Sequence, residues 1–432
     1  MSVEVMDTIV VGAGPAGLSA AITMARAGLD VVVVERGASP GSKNVMGGML
    51  HAHSLANLLP GFWEDAPLER HVVDQGFWMM DETRAASMSF RRCGAEPGPT
   101  GGFTVLRARF DEWLAQKAEE AGAMILPSVT ADELIWSGDR VVGVTSELAG
   151  DELYGLAVVL ADGVNSTLAE KAGLRKPLTS GQVALAVKET IELPADVIEA
   201  RFNLSGGEGV ALQMVGALTR GMVGTGFLYT NRDSISLGLG VMLSDLAESG
   251  AEPNELIEGM KVHPAIAPLI DGGRTVEFAA HLIPEAGYDA LPKLVGDGVL
   301  LVGDAALLVN TVHTEGANLA VESGRLAGEA IVRAKEIDDW SLPALEAYEG
   351  AMRASYVFDD LRKYRRATAF FEENRDIFSR YPAFLMDALE EMLSADGRPK
   401  SAKQSRIVAE FSREVGWPGL ARLLLGGAWS MI

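Results

Sequence analysis

The chain opens with an apolar run from Thr8 to Val11, a glycine turn, and an alanine-rich stretch from Ala16 to Ala27 with Gly28 as its stop. A second apolar run, Val31 to Val34, follows at once. Strand, turn, helix and strand in such quick succession predict one βαβ unit. Gly41 to Gly48 is loop-like, and Arg107 to Gly122 predicts an amphipathic helix with Phe110, Leu114 and Ala118 on one side. Met124 to Leu126, Val141 to Val144 and Ala157 to Leu160 are predicted strands that complete this lobe.

Between about Pro177 and Glu285 the pattern changes to β-branched and glycine-spaced runs: Val183 to Ile191, Gly221 to Tyr229 and Ser234 to Leu243. Turn signals stand at Gly206-Gly207 and Asn231-Arg232-Asp233, so a separate, largely antiparallel sheet is expected. Val299 to Val302 returns to a buried-strand pattern and leads to a helix from Ala317 to Ala334, which makes the first lobe discontinuous in sequence. Helical patterns dominate from Leu342 onward. There is no internal repeat or low-complexity tract.

With 48% hydrophobic and 22% charged residues, 432 residues suit a compact protein with a large core. The formal charge of −22 speaks against nucleic acid as a partner, because a phosphate backbone calls for a basic footprint. The acidic residues are spread along the chain, which fits a solvated surface as well as a docking face. The lone Cys93 permits no internal disulfide, and an iron–sulfur cluster usually takes four thiolates, so any cluster is expected on another chain. No basic segment followed by an apolar one stands at the amino end, so no signal peptide is expected and the cytoplasm is the expected compartment. No apolar stretch reaches the roughly 20 residues that cross a bilayer, although attachment to the inner membrane surface is compatible with the sequence. Gly209 to Leu218 and Gly221 to Tyr229 could line a quinone pocket, touch a membrane surface or dock a partner, and core packing is the favoured reading. Trp417 to Ile432 carries only Arg422 as a charge, and an intersubunit or membrane contact is expected of it.

The strongest chemical signal is Gly12-Ala13-Gly14-Pro15-Ala16-Gly17, a GxGxxG sequence between strand and helix. Gly12 permits the tight turn, Gly14 clears the approach of a pyrophosphate, and Gly17 lets helix and strand pack closely. Amides at the helix start then face the phosphates. Glu35, followed by Arg36 at the end of the second strand, can accept hydrogen bonds from a ribose. Farther on, Gly303-Asp304-Ala305-Ala306 offers an aspartate to the ribityl chain of a flavin, and Ala161-Asp162-Gly163-Val164-Asn165-Ser166 lies between the two. Three separated segments agree on FAD. At Gly316, Ala317, Asn318 and Leu319 a helix begins whose amides could stabilise negative charge on the flavin's pyrimidine ring.

The predicted fold class is α/β: an FAD-binding Rossmann-like domain of the glutathione-reductase type, a second, mostly antiparallel β domain, and C-terminal helices. The expected boundaries are 1–75, 101–175 and 286–340 for the first, 76–100 and 176–285 for the second, and 341–432 for the helical region. His51 and His53 have no third ligand in view, so no metal site is expected. No GxSxG elbow or acid–base pair is present to assign, and the flavin is expected to carry the redox chemistry.

These residues resemble the FixC family, close relatives of electron-transfer-flavoprotein:quinone oxidoreductase within a larger group that includes geranylgeranyl reductases. The resemblance rests on GSKNVMGG (Gly41 to Gly48), FWEDAPLER (Phe62 to Arg70), LRARFDEWLAQKAEEAG (Leu106 to Gly122), VHPAIAPLIDGG (Val262 to Gly273), AAHLIPEAGYDALPKL (Ala279 to Leu294) and EGANLAVESGRLAGEAI (Glu315 to Ile331). It implies a flavoprotein that receives electrons from FixA/FixB-like electron-transfer flavoprotein subunits, beside a small ferredoxin-like (FixX-like) iron–sulfur subunit, and delivers them towards quinone in a bifurcating complex. It also implies that Lys43, Asn44, Gly47 and Gly48 approach the isoalloxazine ring, Arg107 and Val129 the nucleotide half, and Gly316 and Asn318 the flavin's carbonyl edge. The quinone oxidoreductases carry a cysteine-rich C-terminal cluster domain with no counterpart here, which favours the FixC-type division of labour. Two other readings share the flavin segments: a geranylgeranyl-reductase-type enzyme acting on isoprenoid double bonds, and a non-catalytic FAD-containing relay or assembly subunit.

Overall fold

A computed structural model describes residues 5–42, 48–146 and 151–416, so the expectations for Lys43, Asn44, Gly47 and the segment from Trp417 fall outside the described residues. The opening βαβ unit is present as Val5–Val11, Pro15–Arg26 and Val31–Glu35. Five strands run parallel in the order Val299–Leu301, Asp151–Leu160, Val5–Val11, Val31–Glu35, Met124–Pro127. Ile9, Val10, Val33, Val158, Val159 and Leu300 are fully buried, and strands so enclosed are apolar throughout instead of alternating. The long helix Ala317–Glu336 packs on Pro15–Arg26 through small residues: a Cβ at Gly324 would strike the Ala16 carbonyl, and one at Gly328 would lie 2.7 Å from Thr23 Cβ.

The chain divides into two compact units. The first takes in the described residues up to His71, then Glu96–Val183 and His281–Arg362; the second takes in Val72–Ala95, Ala184–Ala280 and the residues from Lys363. The helices after residue 341 are therefore shared between the units. Tyr348 belongs to the first, where its fully buried hydroxyl donates to the Leu301 carbonyl at 2.9 Å.

In the second unit the sheet runs in the order Arg274–Pro284, Val183–Glu192, Ser234–Met242, Gly224–Thr230, Glu208–Gly216, Leu68–Met80, with Ala85–Arg91 pairing to the last. The alternation Ser-Ile-Ser-Leu-Gly-Leu-Gly-Val from Ser234 places Ile235, Leu237, Leu239 and Val241 on one face. There they form a core with Ile198, Leu256, Ile257 and Met260 of the helices Ala195–Phe202 and Pro253–Lys261. On the other face the Phe227 ring lies over Gly238 and stacks on Tyr229 with centroids 5.0 Å apart. The strand expected from Gly221 starts only at Gly224, because Thr219 to Met222 close a turn through a 3.1 Å backbone hydrogen bond. Val210, Leu212 and Met214 are buried, as expected for the apolar segment after Gly209.

Asp245 ties the C-terminal helices to this unit. Its buried carboxylate accepts from the Val223 N–H at 2.9 Å and from both terminal nitrogens of Arg375 at 2.7 and 2.9 Å. Asp245→Ala leaves the Val223 donor without a partner, at a cost of about 2 kcal/mol. A fall of roughly 4–8 °C in thermal midpoint is expected for a unit of this size. An unchanged melt would show that the contact contributes nothing.

Candidate functional site

The fingerprint turn is built from backbone contact. Gly12 has φ of +104°, and a Cβ there would run into the Ala161 carbonyl, with the carbonyl carbon at 2.8 Å. At Gly17 a Cβ would strike the Gly12 carbonyl and lie 3.0 Å from Val10 Cγ1. Gly14 is the N-cap of the first helix, Pro15 its first residue, and Ala16 is buried against the long helix. This helix has no side-chain cap and no acidic residue in its first turn, so its positive end is open to an anion.

Glu35 braces the turn. One carboxylate oxygen accepts from the Ala13 N–H at 2.9 Å and the other from Gly37 N–H at 2.6 Å. Each oxygen retains a further lone pair for a ribose hydroxyl. Val129, expected near the nucleotide, donates its N–H to the Glu35 carbonyl at 2.9 Å, which holds it beside the same strand end. Arg107 is buried at the start of the helix Arg107–Glu120 and grips Asp111 through two 2.8 Å hydrogen bonds. Burial pushes the Asp304 carboxyl up, and the Arg107 charge pulls it back. Burial lowers the pKa of His281, and the positive charges of Arg107 and Arg36 lower it further.

The two remaining flavin segments are joined by a residue that sequence reasoning missed. Buried Arg175 donates to the carbonyls of Ser166, at 3.1 Å, and Ala305, at 3.2 Å. Ala161 is anchored by its N–H to the Val11 carbonyl at 2.8 Å, and Gly163 accepts from Ser166 N–H at 3.1 Å. Gly303 N–H donates to the Ser323 hydroxyl of the long helix at 3.0 Å. Gly316 is the N-cap of that helix, again without a side-chain cap or an early acid, and Ala317, Asn318 and Leu319 form its first turn. Gly48 lies just before the strand Met49–His51 and accepts from the Val105 N–H at 2.9 Å. The spacing of Arg107 and Asp111, four apart on a helix, was the one available signal for the second of that pair. His281 and Glu285 were also missed, since each gains its neighbours only through the fold, and His51 reads in the sequence only as a possible metal ligand.

The site fits FAD on its own chemistry. Two helix N-termini are open, and one buried side-chain oxygen of Asp162 and one of Asn318, Oδ1 in each, have no hydrogen-bond partner in the protein. Such atoms call for donors from a bound polar molecule. Fold and site together define an FAD-dependent oxidoreductase.

The comparisons narrow this to a family. The FAD dependent oxidoreductase pattern matches residues 7–175, and that of the ETF-QO/FixC family C-terminal domain matches residues 367–432. Protein FixC of Azorhizobium caulinodans is 44% identical over 96% of this chain and 97% of its own length. Protein FixC of Escherichia coli strain K12 is 41% identical over 98% of each. The chain belongs to the ETF-QO/FixC family. Among solved structures, a geranylgeranyl bacteriochlorophyll reductase-like protein from Thermoplasma acidophilum matches with a TM-score of 0.74 at 19% identity, over 98% of this chain and 100% of its own. The flavin-dependent brominase Bmp2 matches with a TM-score of 0.64 at 18% identity, over 95% of this chain and 100% of its own. At such identity the likeness shows the shared fold. The kinship extends past Glu315 to Ile331 into the C-terminal helices.

Burial pushes the Asp162 carboxyl up to about 6, against the opposing pull of the Ser166 hydrogen bond. In the unfolded chain an aspartate titrates near about 3.9. Stability from this group is therefore complete below about pH 4 and lost as pH rises through about 6. In flavin-free protein, Asp162→Asn is expected to melt above the wild type at pH 7 and to lose that advantage at pH 4. A difference independent of pH would contradict the burial of this carboxyl.

Proposed function

We propose that this chain receives electrons from an electron-transfer flavoprotein of the FixA/FixB kind and passes them to quinone, beside a small ferredoxin-like subunit in a bifurcating complex. The observation that carries this reading is identity to proteins named FixC along nearly the whole chain, combined with a single thiol at Cys93. A cluster usually takes four thiolates, so a cluster-borne relay belongs on a partner.

Bound FAD supplies the capacity to take up and release electrons. The chain's own residues hold it: the Gly12 to Gly17 turn and first helix receive the diphosphate, Glu35 the ribose, Arg107 with Val129 the nucleotide half, and Asp304 the ribityl chain. The start of the long helix at Gly316 to Leu319 faces the flavin's carbonyl edge and favours negative charge there. Gly48 would approach the ring, as the family resemblance implies. Among the described residues no helix is long and apolar enough to cross a membrane. A peripheral position on the inner face of the cell membrane, with Trp417 to Ile432 in contact with lipid or a partner, suits delivery to a lipid-soluble acceptor.

The flavin-loaded chain is expected to bleach when mixed with a reduced electron-transfer flavoprotein pair from the same organism, and to regain colour on addition of quinone. Reduction of the isolated chain by NADH at the turnover rate would contradict this reading. Failure to transfer to quinone would contradict it too.

A further inference from the structure

Arg175 reaches its place through a short detour of the chain. After the strand Asp151–Leu160 and the segment Ala161 to Ser166, the helix Thr167–Lys171 is capped by the Ser166 side chain, which accepts from the Ala169 N–H at 3.3 Å. Gly173, with φ of +69°, then turns the chain back, and the Arg175 N–H returns to the Ala169 carbonyl at 3.2 Å. The Arg175 side chain thereby meets the segment it has just left and, 130 residues further on, the Asp304 turn. Only 3% of that side chain is exposed.

The Asp304 turn is held from outside on two sides. Gly303–Ala306 is one short turn that ends on Leu307, whose φ of +60° is a left-handed conformation costly for a residue other than glycine. On one side the Gly303 N–H is fixed by Ser323 of the long helix. On the other, Arg175 Nη1 donates to the Ala305 carbonyl at 3.2 Å, while Nη2 of the same guanidinium donates to the Ser166 carbonyl at 3.1 Å. Ala161 has an anchor of its own at the Val11 carbonyl, so the fingerprint side of the site keeps its shape without Arg175. Arg175 Nε and Asp162 Oδ1 are both buried and lack a partner among the described residues. A donor and an acceptor left over on one bridge fit the wall of a site for a polar ligand.

We infer that Arg175 is a positioning residue for the flavin half of FAD: with one terminal nitrogen on each segment it sets the gap between Ala161 to Ser166 and the Asp304 turn, and so holds Asp304 where the ribityl chain binds. This rests on the FAD reading above. The bridge needs two donors on one rigid plane. A lysine ammonium, a compact point of charge, does not span both carbonyls.

The test is calorimetric titration of the deflavinated full chain with FAD and with ADP. ADP shares with FAD the adenosine and diphosphate that Glu35 and the first helix would receive, and lacks the ribityl chain that Asp304 would hold. Arg175→Met is expected to raise the FAD dissociation constant about 30-fold and to move that for ADP by less than about twofold, since charge-assisted hydrogen bonds are lost on one side of the site only. Unchanged ADP binding also shows that the variant is folded. Arg175→Lys keeps the charge and is expected to lose most of the same FAD affinity. Equal weakening of FAD and ADP, no weakening of FAD, or full FAD affinity in Arg175→Lys would each overturn the proposal. Asp304→Ala separates the two claims. FAD affinity kept in that variant would overturn the reading of Asp304 and the proposal with it; affinity lost there but kept in Arg175→Met would overturn the proposal alone. Hydrogen exchange in deflavinated wild type needs no variant: the amides of Ser166, bonded to Gly163, and of Leu308, bonded to Gly303, are expected to open together, because one side chain ties their segments. Independent opening of the two would likewise overturn the proposal.

Discussion

The site depends on how closely two backbones approach at the turn between the first strand and first helix. Gly12 lies against the Ala161 carbonyl and Gly17 against the Gly12 carbonyl, so neither position has room for a side chain. This contact sets the start of the first helix just beyond the carboxyl end of Val5–Val11, the middle strand of the parallel five. A helix N-terminus carries roughly half a positive charge, which acts at full strength only where no side chain has neutralised it. Both the first helix and the long helix keep that end open, and their tight packing through Gly324 and Gly328 fixes one relative to the other.

Around this frame, charge is arranged against the protein's overall sign. The chain carries −22, yet the charges of Arg36 and Arg175 act on the Asp162 carboxyl and that of Arg107 on the Asp304 carboxyl. Burying a guanidinium is costly unless its donors are matched. Arg107 meets that condition with Asp111, whereas Arg175 binds two backbone carbonyls through its terminal nitrogens and leaves its buried Nε without a protein partner. Pairing of this kind fixes the positions of the Asp162 and Asp304 segments before any cofactor arrives. Such preorganisation reduces the ordering that binding would otherwise require.

What the sequence made legible was local chemistry. The GxGxxG turn, Glu35 at its strand end and the Gly303-Asp304 turn each announce themselves within a few residues, and the Ser234 to Val241 alternation declares a strand with one core face. Arg175 joins segments on either side of 130 residues, to Ala305. No periodicity encodes such meetings, since they are products of topology. Segment boundaries slipped for a related reason: the residues from Gly221 look β-branched and apolar, but a tight turn consumes the first three. Helices after residue 341 read as one region by pattern, and burial of Tyr348 in one unit and of Asp245 against Arg375 in the other divides them.

The central claim is that the first unit holds a single FAD through its diphosphate and adenosine as well as its ring. Calorimetric titration of deflavinated protein with FAD and separately with FMN tests it most directly. The account predicts one FAD bound per chain and much weaker binding of FMN, which lacks the second phosphate and the adenosine that the first helix and Glu35 would receive. Equal binding of the two, or no uptake of FAD by folded protein, would contradict it.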